Sequence, residues 1–494
     1  MAHSTRAAAS VLTLGIMIVC AALVLPGAAA EDVDWVMHDT SPIERLVSAY
    51  AVLPDGRIFI CNGHDMNTSE ITAENWIYDP YSLEWERVAD CYRATELSAA
   101  VAMPDGKVYI FGGAEFGNPL TNVMIYDVEN DSWSDGPDLP TTLSLTEAIA
   151  IDDNRILIAG GTTTLSFSSM VDKCYLFDIS ESTFTPAADL PDERAVGALV
   201  MYDDALYYLG GLDSSSNAKN TVFAYSIMWD YWWSSGTLPE NLVQHAAVAG
   251  SDGNIYVIGG RNSFSWFSAG KDTAFAYNLF TQLTTPLPTL NDGIANAAAF
   301  ELAGGKIMYM HGNDGNTANM DVFTIQAWEA SASLSSASVG QGGSVWLRVS
   351  ITSNFMEMHG MAGVVYLERD NGTYGAYYID TIGENDALVE VSIPESLAPG
   401  TYALVLHNVN IGYGADQSFP FETLSLTVTE APSMQDQLDD LNAQNDALQE
   451  DLDAANAELK KAVDAKLDAV IGYVILILVI AVLVVAVISL VRKK

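Results

Sequence analysis

Short apolar runs that end in a Gly-Gly pair recur along the first two thirds of the chain. The clearest copy is VYIFGG at residues 108–113. The other copies, two of which carry Asn62 or His311 in place of the first glycine, are 58–63, 156–161, 206–211, 255–260 and 307–312. The second glycines of successive copies lie 50, 48, 50, 49 and 52 residues apart. Such a nearly constant period indicates a repeat architecture.

Each period also contains the pattern of four short strands. In the second copy, an apolar run at 98–103 is followed by a Pro-Asp-Gly turn and the Gly-Gly strand. A variable loop, a strand that ends at Tyr126-Asp127 and a strand that carries Trp133 complete the period. Four short strands separated by turn residues are typical of one propeller blade. We therefore predict an all-β fold with a six-bladed β-propeller over residues 31–327.

The spaced glycines and aromatics resemble the kelch repeat. The third-strand aromatics, weakest in the last copy, are Tyr78, Tyr126, Phe177, Tyr225, Tyr277 and Phe323. The fourth-strand aromatics are Trp85, Trp133, Phe184 and Trp232 or Trp233. The resemblance implies that these residues are scaffold and that the glycines permit positive φ and close backbone approach near a central channel.

The sixth period lacks a recognisable fourth strand. Residues 34–37, around Trp35, precede the first blade and have no other predicted partner. We predict that they complete blade six, because the ring then leaves no sheet edge open. Trp328, which follows the third strand of blade six, is the competing candidate for this position.

Beyond the propeller the period disappears while the alternation of apolar and polar residues continues. About 100 residues with several short strands predict an immunoglobulin-like β-sandwich at 331–430. The sequence at 399–402 resembles the turn into a late strand of bacterial and archaeal immunoglobulin-like modules. A propeller followed by such a domain is also the layout of the secreted galactose oxidase-like enzymes.

A heptad pattern follows the predicted sandwich. Apolar residues spaced alternately by four and three predict a coiled-coil stalk at 434–468. Leucines at 438, 452 and 459 in position a place Asn445 in the same position, which favours a parallel homodimer in fixed register. A single stalk helix without a partner is the alternative, because the flanking positions are mostly acidic.

Both ends of the chain carry long apolar runs. Residues 1–30 combine a cationic start, an apolar run at 11–25 and small residues before Glu31, which predicts a cleaved signal peptide. An uncleaved anchor is the alternative. Residues 470–491 carry no charge and span roughly 33 Å as a helix, enough for a bilayer core. Because residues 492–494 are basic, we predict a single-pass cell-membrane protein with a cytoplasmic C-terminus.

The charge of the chain narrows the range of partners. Its net charge is −42, from 63 acidic and 21 basic residues. Four of the basic residues, Arg6, Arg492, Lys493 and Lys494, belong to the predicted signal peptide and tail, which leaves a net charge of −46 for the ectodomain. Such a surface repels nucleic acid and anionic headgroups, so we expect no nucleic-acid partner.

The cysteines do not predict a disulfide framework. Three remain after the signal peptide, Cys61, Cys91 and Cys174, and no Cys-x-x-Cys or His/Cys cluster indicates a zinc site. The sequence leaves open whether Cys61 and Cys91 form a bridge. Three sequons, at Asn67, Asn130 and Asn371, are possible N-glycosylation sites.

The loops between the second and third strands are the part of the repeat that varies most. Propeller loops converge on one face, which makes them the expected binding surface. The candidate ligand-binding residues on or beside these loops are His64, Asp65, Glu115, Phe116, Arg194, Arg261, Trp266 and Asp314. Aromatic rings mixed with short polar side chains suit carbohydrate or polar peptide.

A catalytic centre is not apparent in the sequence. The copper site of galactose oxidase-like enzymes uses paired Tyr and His ligands and a Cys cross-linked to a Tyr. The six histidines outside the signal peptide are scattered, and His64, His245 and His311 are the ones nearest the Gly-Gly strands. We therefore predict no catalytic residue, no metal and no cofactor.

These observations favour a non-catalytic binding or adhesion protein on the surface of a prokaryotic, in our interpretation archaeal, cell. Its propeller would recognise an extracellular glycan or protein, and a dimeric stalk would add avidity. The alternative is an extracellular oxidoreductase of the galactose oxidase type, or a carbohydrate-active enzyme, that uses the same loop face.

Overall fold

The computed structural model describes most of the chain between residues 33 and 430 and short helical pieces beyond it. The described residues are 33–165, 169–265, 269–279, 281–314, 318–355, 360–370, 372–381, 386–410, 421–430, 442–455, 457, 482, 483 and 485. The chain divides into two compact units. The first contains the residues up to 335 with 346–389 and 403–424, and the second contains 336–345, 390–402 and the residues from 425 onward.

Six four-stranded antiparallel sheets follow one another in the first unit. In blades one to three the strands, from the channel outward, are Ala49–Val52, Ile58–Cys61, Asn75–Asp79 and Glu84–Val88; Ala99–Ala102, Lys107–Phe111, Val123–Asp127 and Ser132–Asp135; and Glu147–Ala150, Arg155–Ala159, Cys174–Asp178 and Thr183–Ala187. In blades four to six they are Ala198–Tyr202, Ala205–Leu209, Lys219–Ser226 and Tyr231–Leu242; Ala246–Ala249, Asn254–Ile258, Ala274–Asn278 and Thr284–Pro286; and Ala298–Leu302, Lys306–Met310, Asp321–Gln326 and Val36–Thr40. The prediction of a propeller is confirmed.

The outer strand of blade six comes from the beginning of the described chain. Val36–Thr40 pairs antiparallel with Asp321–Gln326, with Val36 opposite Thr324. Trp328 instead begins the strand Trp328–Leu334, which belongs to another sheet. The ring is therefore closed by a strand remote in sequence, and the third strand of blade six is paired on both sides.

An indole hydrogen bond recurs between neighbouring blades. Trp133 Nε1 donates to the Ala89 carbonyl (2.9 Å), and Trp232 Nε1 donates to the Ala188 carbonyl (3.1 Å). Trp35 makes the equivalent bond to the Pro288 carbonyl (3.0 Å). In each case the acceptor follows the outer strand of the preceding blade, so Trp35 occupies the position of a fourth-strand tryptophan.

Two assignments of repeated aromatics are decided by the strand register. Trp232, not Trp233, pairs across from Tyr225, as Trp133 does from Tyr126. In blade six the residue opposite Ile307 is Ile325, where blade two places Tyr126 opposite Val108. The assignment of Phe323 as the third-strand aromatic is therefore wrong by two residues, because an isoleucine occupies that core position.

The three cysteines that remain after the predicted signal peptide are buried and free. Cys91 Sγ donates hydrogen bonds to Asn62 Oδ1 and to the Arg93 carbonyl, both at 2.7 Å. Burial raises the pKa of the Cys61 and Cys91 thiols. There is thus no Cys61–Cys91 bridge, and both thiols act as small core groups.

Strands continue after the propeller. In the first unit Trp328–Leu334 pairs with Ser344–Ser353, and Ala362–Arg369 pairs with both Gly372–Asp380 and Gly400–Asn410. In the second unit Ser338–Gly340 runs parallel to Leu424–Thr429. The remaining strand is Asp386–Ser392. The region is thus formed of short strands, as predicted, while the immunoglobulin-like sandwich itself stays a prediction.

The C-terminal region is described only in part. Residues 442–455 are helical, as the heptad pattern predicts for this stretch. The predicted signal peptide and most of residues 434–441 and 458–491 lie outside the described residues. Within the part of the chain that is described, no helix is both long enough and apolar enough to cross a bilayer.

Candidate functional site

The antiparallel order of each blade brings the loops between second and third strands to the same end as the entry to the inner strand. This end, the loop face, carries most of the predicted site residues. His64 and Asp65 form a short strand between Arg45–Leu46 and Glu70–Ile71. His64 Nδ1 lies 3.6 Å from Glu96 Oε2, and burial raises the pKa of the Glu96 carboxyl.

Glu115 and Phe116 lie on a tight hairpin of blade two. Ala114–Glu115 pairs with Asn118–Pro119, and the Leu120 N–H donates to the Gly113 carbonyl (2.9 Å). Phe116 sits at the tip with φ +50°, and 85% of its surface is exposed. The hairpin therefore presents an aromatic ring to solvent from a hydrogen-bonded backbone.

Arg194 is a buried scaffold residue. Its Nη1 donates to Asp192 Oδ2 (2.9 Å) and to the Glu193 carbonyl (2.8 Å), and Nη2 donates to Thr221 Oγ1 (3.1 Å). The guanidinium carbon lies 5.1 Å from the centre of the Phe223 ring, a cation–π distance. These contacts tie the entry of blade four to its third strand, so the side chain is not offered to a ligand.

Arg261 is the centre of a buried polar network at the channel mouth. Its Nη1 donates to Gln244 Oε1 (3.1 Å) and its Nη2 to Asn313 Oδ1 (2.9 Å). Gln244 Nε2 donates in turn to Asn296 Oδ1 (2.9 Å). Burial lowers the pKa of Arg261, but arginine stays protonated at any physiological pH. The network joins the entries of blades five and six.

The remaining predicted residues are distributed more widely. Asp314 borders a small cleft of about 90 Å³ with Asp292 and Asn319. Asn67 and Asn130 are exposed in turns, which is compatible with glycosylation. Trp266 and Asn371 lie outside the described residues.

Six residues in the left-handed backbone conformation encircle the channel mouth. The sequence analysis did not predict this ring. One residue of each blade, just before the inner strand, has φ between +48° and +62°; these residues are Val47, Leu97, Leu145, Val196, Gln244 and Asn296. The Leu97 N–H donates to the Val47 carbonyl (3.1 Å), and the Asn296 N–H donates to the Gln244 carbonyl (2.8 Å). Equivalent bonds join blades two and three and blades four and five. These backbone hydrogen bonds stabilise the left-handed conformation, which costs roughly 1–2 kcal/mol per non-glycine residue.

The channel inside this ring is small, and polar and apolar atoms are exposed in it to a similar extent. It encloses about 320 Å³ and is bordered by all six inner strands, which are rich in alanine. Glu147 of blade three and His245 of blade five also border it. Burial raises the pKa of Glu147 to about 8 and lowers that of His245 to about 4, so both are largely neutral at pH 7.

His311 occupies a different environment from His245. Its Nδ1 lies 2.9 Å from Tyr50 Oη and its Nε2 lies 2.9 Å from Ser41 Oγ. Burial lowers the pKa of His311 to about 3, so the ring is neutral. His311 also has φ +56°, the conformation of the first glycine that it replaces. Both ring nitrogens are engaged in the scaffold, which leaves His311 a structural role.

A metal centre is not formed by the residues that can be described. Among them, no group of three or more His, Cys, Asp or Glu side chains is placed to hold an ion. The three histidines lie in separate environments. His64 lies beside a carboxylate, His245 has no polar partner, and His311 contacts two hydroxyl groups. The arrangement gives the oxidoreductase alternative no support beyond the layout of its domains.

Comparison with known proteins agrees with the sheet topology. Residues 32–265 match the family model described as the Attractin/LZTR1 beta-propeller. Kelch-like protein 38 of Rattus norvegicus is 27% identical over 176 residues, which is 35% of this chain and 29% of that protein. Beta-scruin of Limulus polyphemus is 37% identical over 73 residues, 15% of this chain and 8% of that protein. The chain thus spans under a third of the length of these relatives.

A solved structure of YjhT shares the fold. It aligns with a TM-score of 0.51 at 14% identity and covers 59% of this chain and 96% of that one. Together, the six four-stranded sheets and these similarities show that the region from Val36 to Gln326 is a β-propeller that is similar to kelch-type propellers.

Proposed function

We propose that this protein is a non-catalytic binding module that recognises a protein ligand through the loop face of its propeller. The observation that carries the proposal is Phe116, which projects from an ordered hairpin with 85% of its surface exposed. Exposed aromatics on rigid backbone are typical anchors of protein interfaces, because they bury a large area and lose little entropy.

The surroundings of Phe116 fit such an anchor. A Cβ added at the neighbouring Gly117 would lie 3.9 Å from Leu165 Cδ1, so the tip of the hairpin lies beside the loop of blade three. Leu165 is itself 38% exposed. Polar groups of Thr163, Thr164 and Ser169 are hydrogen-bonded nearby. The patch thus has an apolar centre and a polar rim, the usual anatomy of a protein interface.

The relatives favour a protein over a glycan as ligand, because kelch-type propellers typically serve as protein-interaction domains. The acidic chain would add specificity, since a net charge of −42 repels acidic partners and attracts basic ones. We therefore propose a protein ligand with a basic patch around an apolar pocket that accepts Phe116.

A photo-crosslinking comparison tests the proposal. A benzophenone amino acid replaces Phe116 in one variant of the full chain and Trp229 in a control. Trp229 is 77% exposed and lies in the turn between the third and outer strands of blade four, at the opposite end of the propeller. We expect a defined protein adduct from position 116 alone. Equal adducts from both positions would contradict a specific loop-face site.

Binding measurements separate the two ligand classes. Once the crosslinked protein is identified, Phe116→Ser should weaken its binding about 30-fold, the effect of losing about 2 kcal/mol at an anchor. Trp229→Ser should leave the affinity unchanged. Selective binding of the full chain to a glycan array, with no protein adduct, would replace the protein ligand with a carbohydrate.

We also propose that the propeller is displayed outside the cell by the apolar segment at 470–491. The supporting observations are the apolar run itself, the basic residues after it and the N-terminal signal-like segment. Fractionation tests this topology: the full chain should stay with membranes in high salt, and truncation before residue 470 should release it. Release of the untruncated protein by salt alone would contradict the anchor.

A further inference from the structure

One position in the propeller channel departs from the repeat. The first residue of each inner strand pairs with the last residue of the second strand, next to the Gly-Gly turn. Five blades have alanine there, at Ala49, Ala99, Ala198, Ala246 and Ala298. Blade three has Glu147 instead, and its partner in the register is Ala159. The scaffold therefore requires only a methyl group at this position.

The Glu147 carboxyl has no protein partner. It makes no hydrogen bond and no ion pair within the described residues, and the channel-lining residues include no lysine or arginine. Burial is the sole cause that raises its pKa to about 8. Ionising a carboxyl in such surroundings is unfavourable, because Glu147 is only partly exposed to the channel and no protein group replaces the water that it has lost. A ligand with a positive charge would compensate for this loss.

His245 is a second polar group of the channel without a partner. It lies one position earlier in the repeat than Glu147 does. Blades one to three have a hydroxyl residue there, and Ser48 Oγ, for example, donates to the Asn62 carbonyl (3.0 Å). The side chain of His245 does not reproduce this bond, since both of its ring nitrogens are buried without a hydrogen-bond partner. Since both nitrogens are also shielded from the channel, we assign no ligand contact to His245.

The chemistry of the channel distinguishes between classes of cation. A calcium ion needs six to eight oxygen ligands, and the channel has a single carboxylate. An organic ammonium needs fewer oxygen acceptors, and its alkyl body can pack against alanine methyl groups. A volume of about 320 Å³ is at the small end of ligand pockets.

We propose that the propeller channel binds a small primary ammonium compound, whose charged nitrogen pairs with Glu147 and whose alkyl part contacts the alanine-rich walls. This site is independent of the loop-face ligand, since Glu147 lies inside the ring and Phe116 lies on its outer surface.

Titration calorimetry of the full chain with n-butylammonium chloride tests the site. We expect saturable binding that Glu147→Gln and Glu147→Ala weaken at least tenfold. Glu181→Gln, an exposed carboxyl in the outer turn of the same blade, is the matched control and should bind like the unchanged protein. Since alanine occupies the equivalent position of every other blade, Glu147→Ala should fold, which thermal unfolding verifies. Absence of saturable binding, or equal binding by Glu147→Ala, would overturn the proposal.

Proton release gives a second readout that surface carboxyls cannot mimic. At pH 7 the Glu147 carboxyl is mostly protonated, so binding of a cation should expel close to one proton per amine. Tyr208 interacts electrostatically with Glu147, and His245 borders the same channel. Burial keeps Tyr208 neutral by raising its pKa, and His245 is already neutral at this pH. The heat of binding should therefore differ between phosphate and HEPES buffers, because the two buffers take up the released proton with different heats. Identical heats in the two buffers, or binding of calcium chloride in place of the amine, would overturn the assignment.

Discussion

Glu147 should make the stability of the propeller depend on pH in a way that alanine at the same position would not. The carboxyl has an ordinary pKa of 4.5 when the chain is unfolded and a pKa of about 8 in the folded channel. Below pH 4.5 the carboxyl is neutral in both states, so its ionisation does not change the free energy of unfolding. Between pH 4.5 and 8 the carboxyl ionises in the unfolded state only, which lowers the free energy of unfolding as the pH rises. Above pH 8 the carboxyl is ionised in both states, and its effect on the free energy of unfolding is constant.

The size of the effect follows from the two pKa values. Each pKa unit corresponds to about 1.4 kcal/mol, so the folded state loses about 3 kcal/mol at pH 7 and about 5 kcal/mol above pH 8. Glu147 is partly exposed to the channel, and water that enters it reduces these values, which are therefore upper limits. Glu147→Ala should remove this contribution to the pH dependence, because alanine does not titrate and its methyl group matches the other blades.

Urea unfolding of the two proteins, followed by tryptophan fluorescence at pH 4, 7 and 9, measures the difference directly. We expect Glu147→Ala to gain stability relative to the unchanged chain as the pH rises, with most of the gain between pH 5 and 8. Glu181→Gln is again the control and should show no such trend. A difference between Glu147→Ala and the parent that is the same at all three pH values would refute the reasoning, because it would show that the carboxyl is not shielded from water.

Three further predictions concern the scaffold and the stalk. Gly113→Ala should destabilise the fold by several kcal/mol in urea unfolding, because φ is +88° and the added Cβ would lie 2.8 Å from a backbone carbonyl oxygen. Gly106 has a similar φ of +80° but open space around it, so Gly106→Ala should cost only about 1 kcal/mol. Trp35→Phe removes the indole bond that closes the ring and should cost about 1 kcal/mol, with faster hydrogen exchange in Val36–Thr40; unchanged exchange there would contradict its closing role. Asn445→Cys should form a disulfide-linked dimer on oxidation if the stalk is parallel and in register, whereas Glu450→Cys, on the outer face of the heptad, should not. Equal crosslinking of the two would favour the single stalk helix.

The repeat could be found from sequence because it reflects a backbone requirement that few residues satisfy. Four blades have glycine at the first position of the pair, with φ between +58° and +65°. The two degenerate copies, Asn62 and His311, adopt φ +56° all the same. Side-chain bonds accompany this conformation, from Asn62 to Thr95 Oγ1 (2.7 Å) and between His311 and Ser41. The conformation is thus kept at this position of the repeat even where the glycine is absent.

The binding residues were much harder to predict. Charged side chains in variable loops, such as Arg194 and Arg261, have the composition of a ligand site. In the structure both are buried and bonded to neighbouring strands, because each blade entry must satisfy its own carbonyls and carboxylates. Glu147 was overlooked although its signal is present, since only an alignment of the six inner strands shows alanine in the other five blades. Phe116 was included for its ring, but its exposure depends on the hairpin.

The sequence by itself determined the number of blades and the positions of most of their strands, because these depend on local periodicity and on turn residues that recur every 50 residues or so. It left Trp35 and Trp328 as alternatives for the closing strand, and the pairing of Val36–Thr40 with Asp321–Gln326 decided between them. Only the tertiary structure decided which polar side chains remain without a partner. That property depends on contacts between blades, such as those around Glu147 and His245, whose neighbours lie one or more periods away in the chain. Burial and hydrogen-bond satisfaction are set by the assembled ring, and no local pattern encodes them.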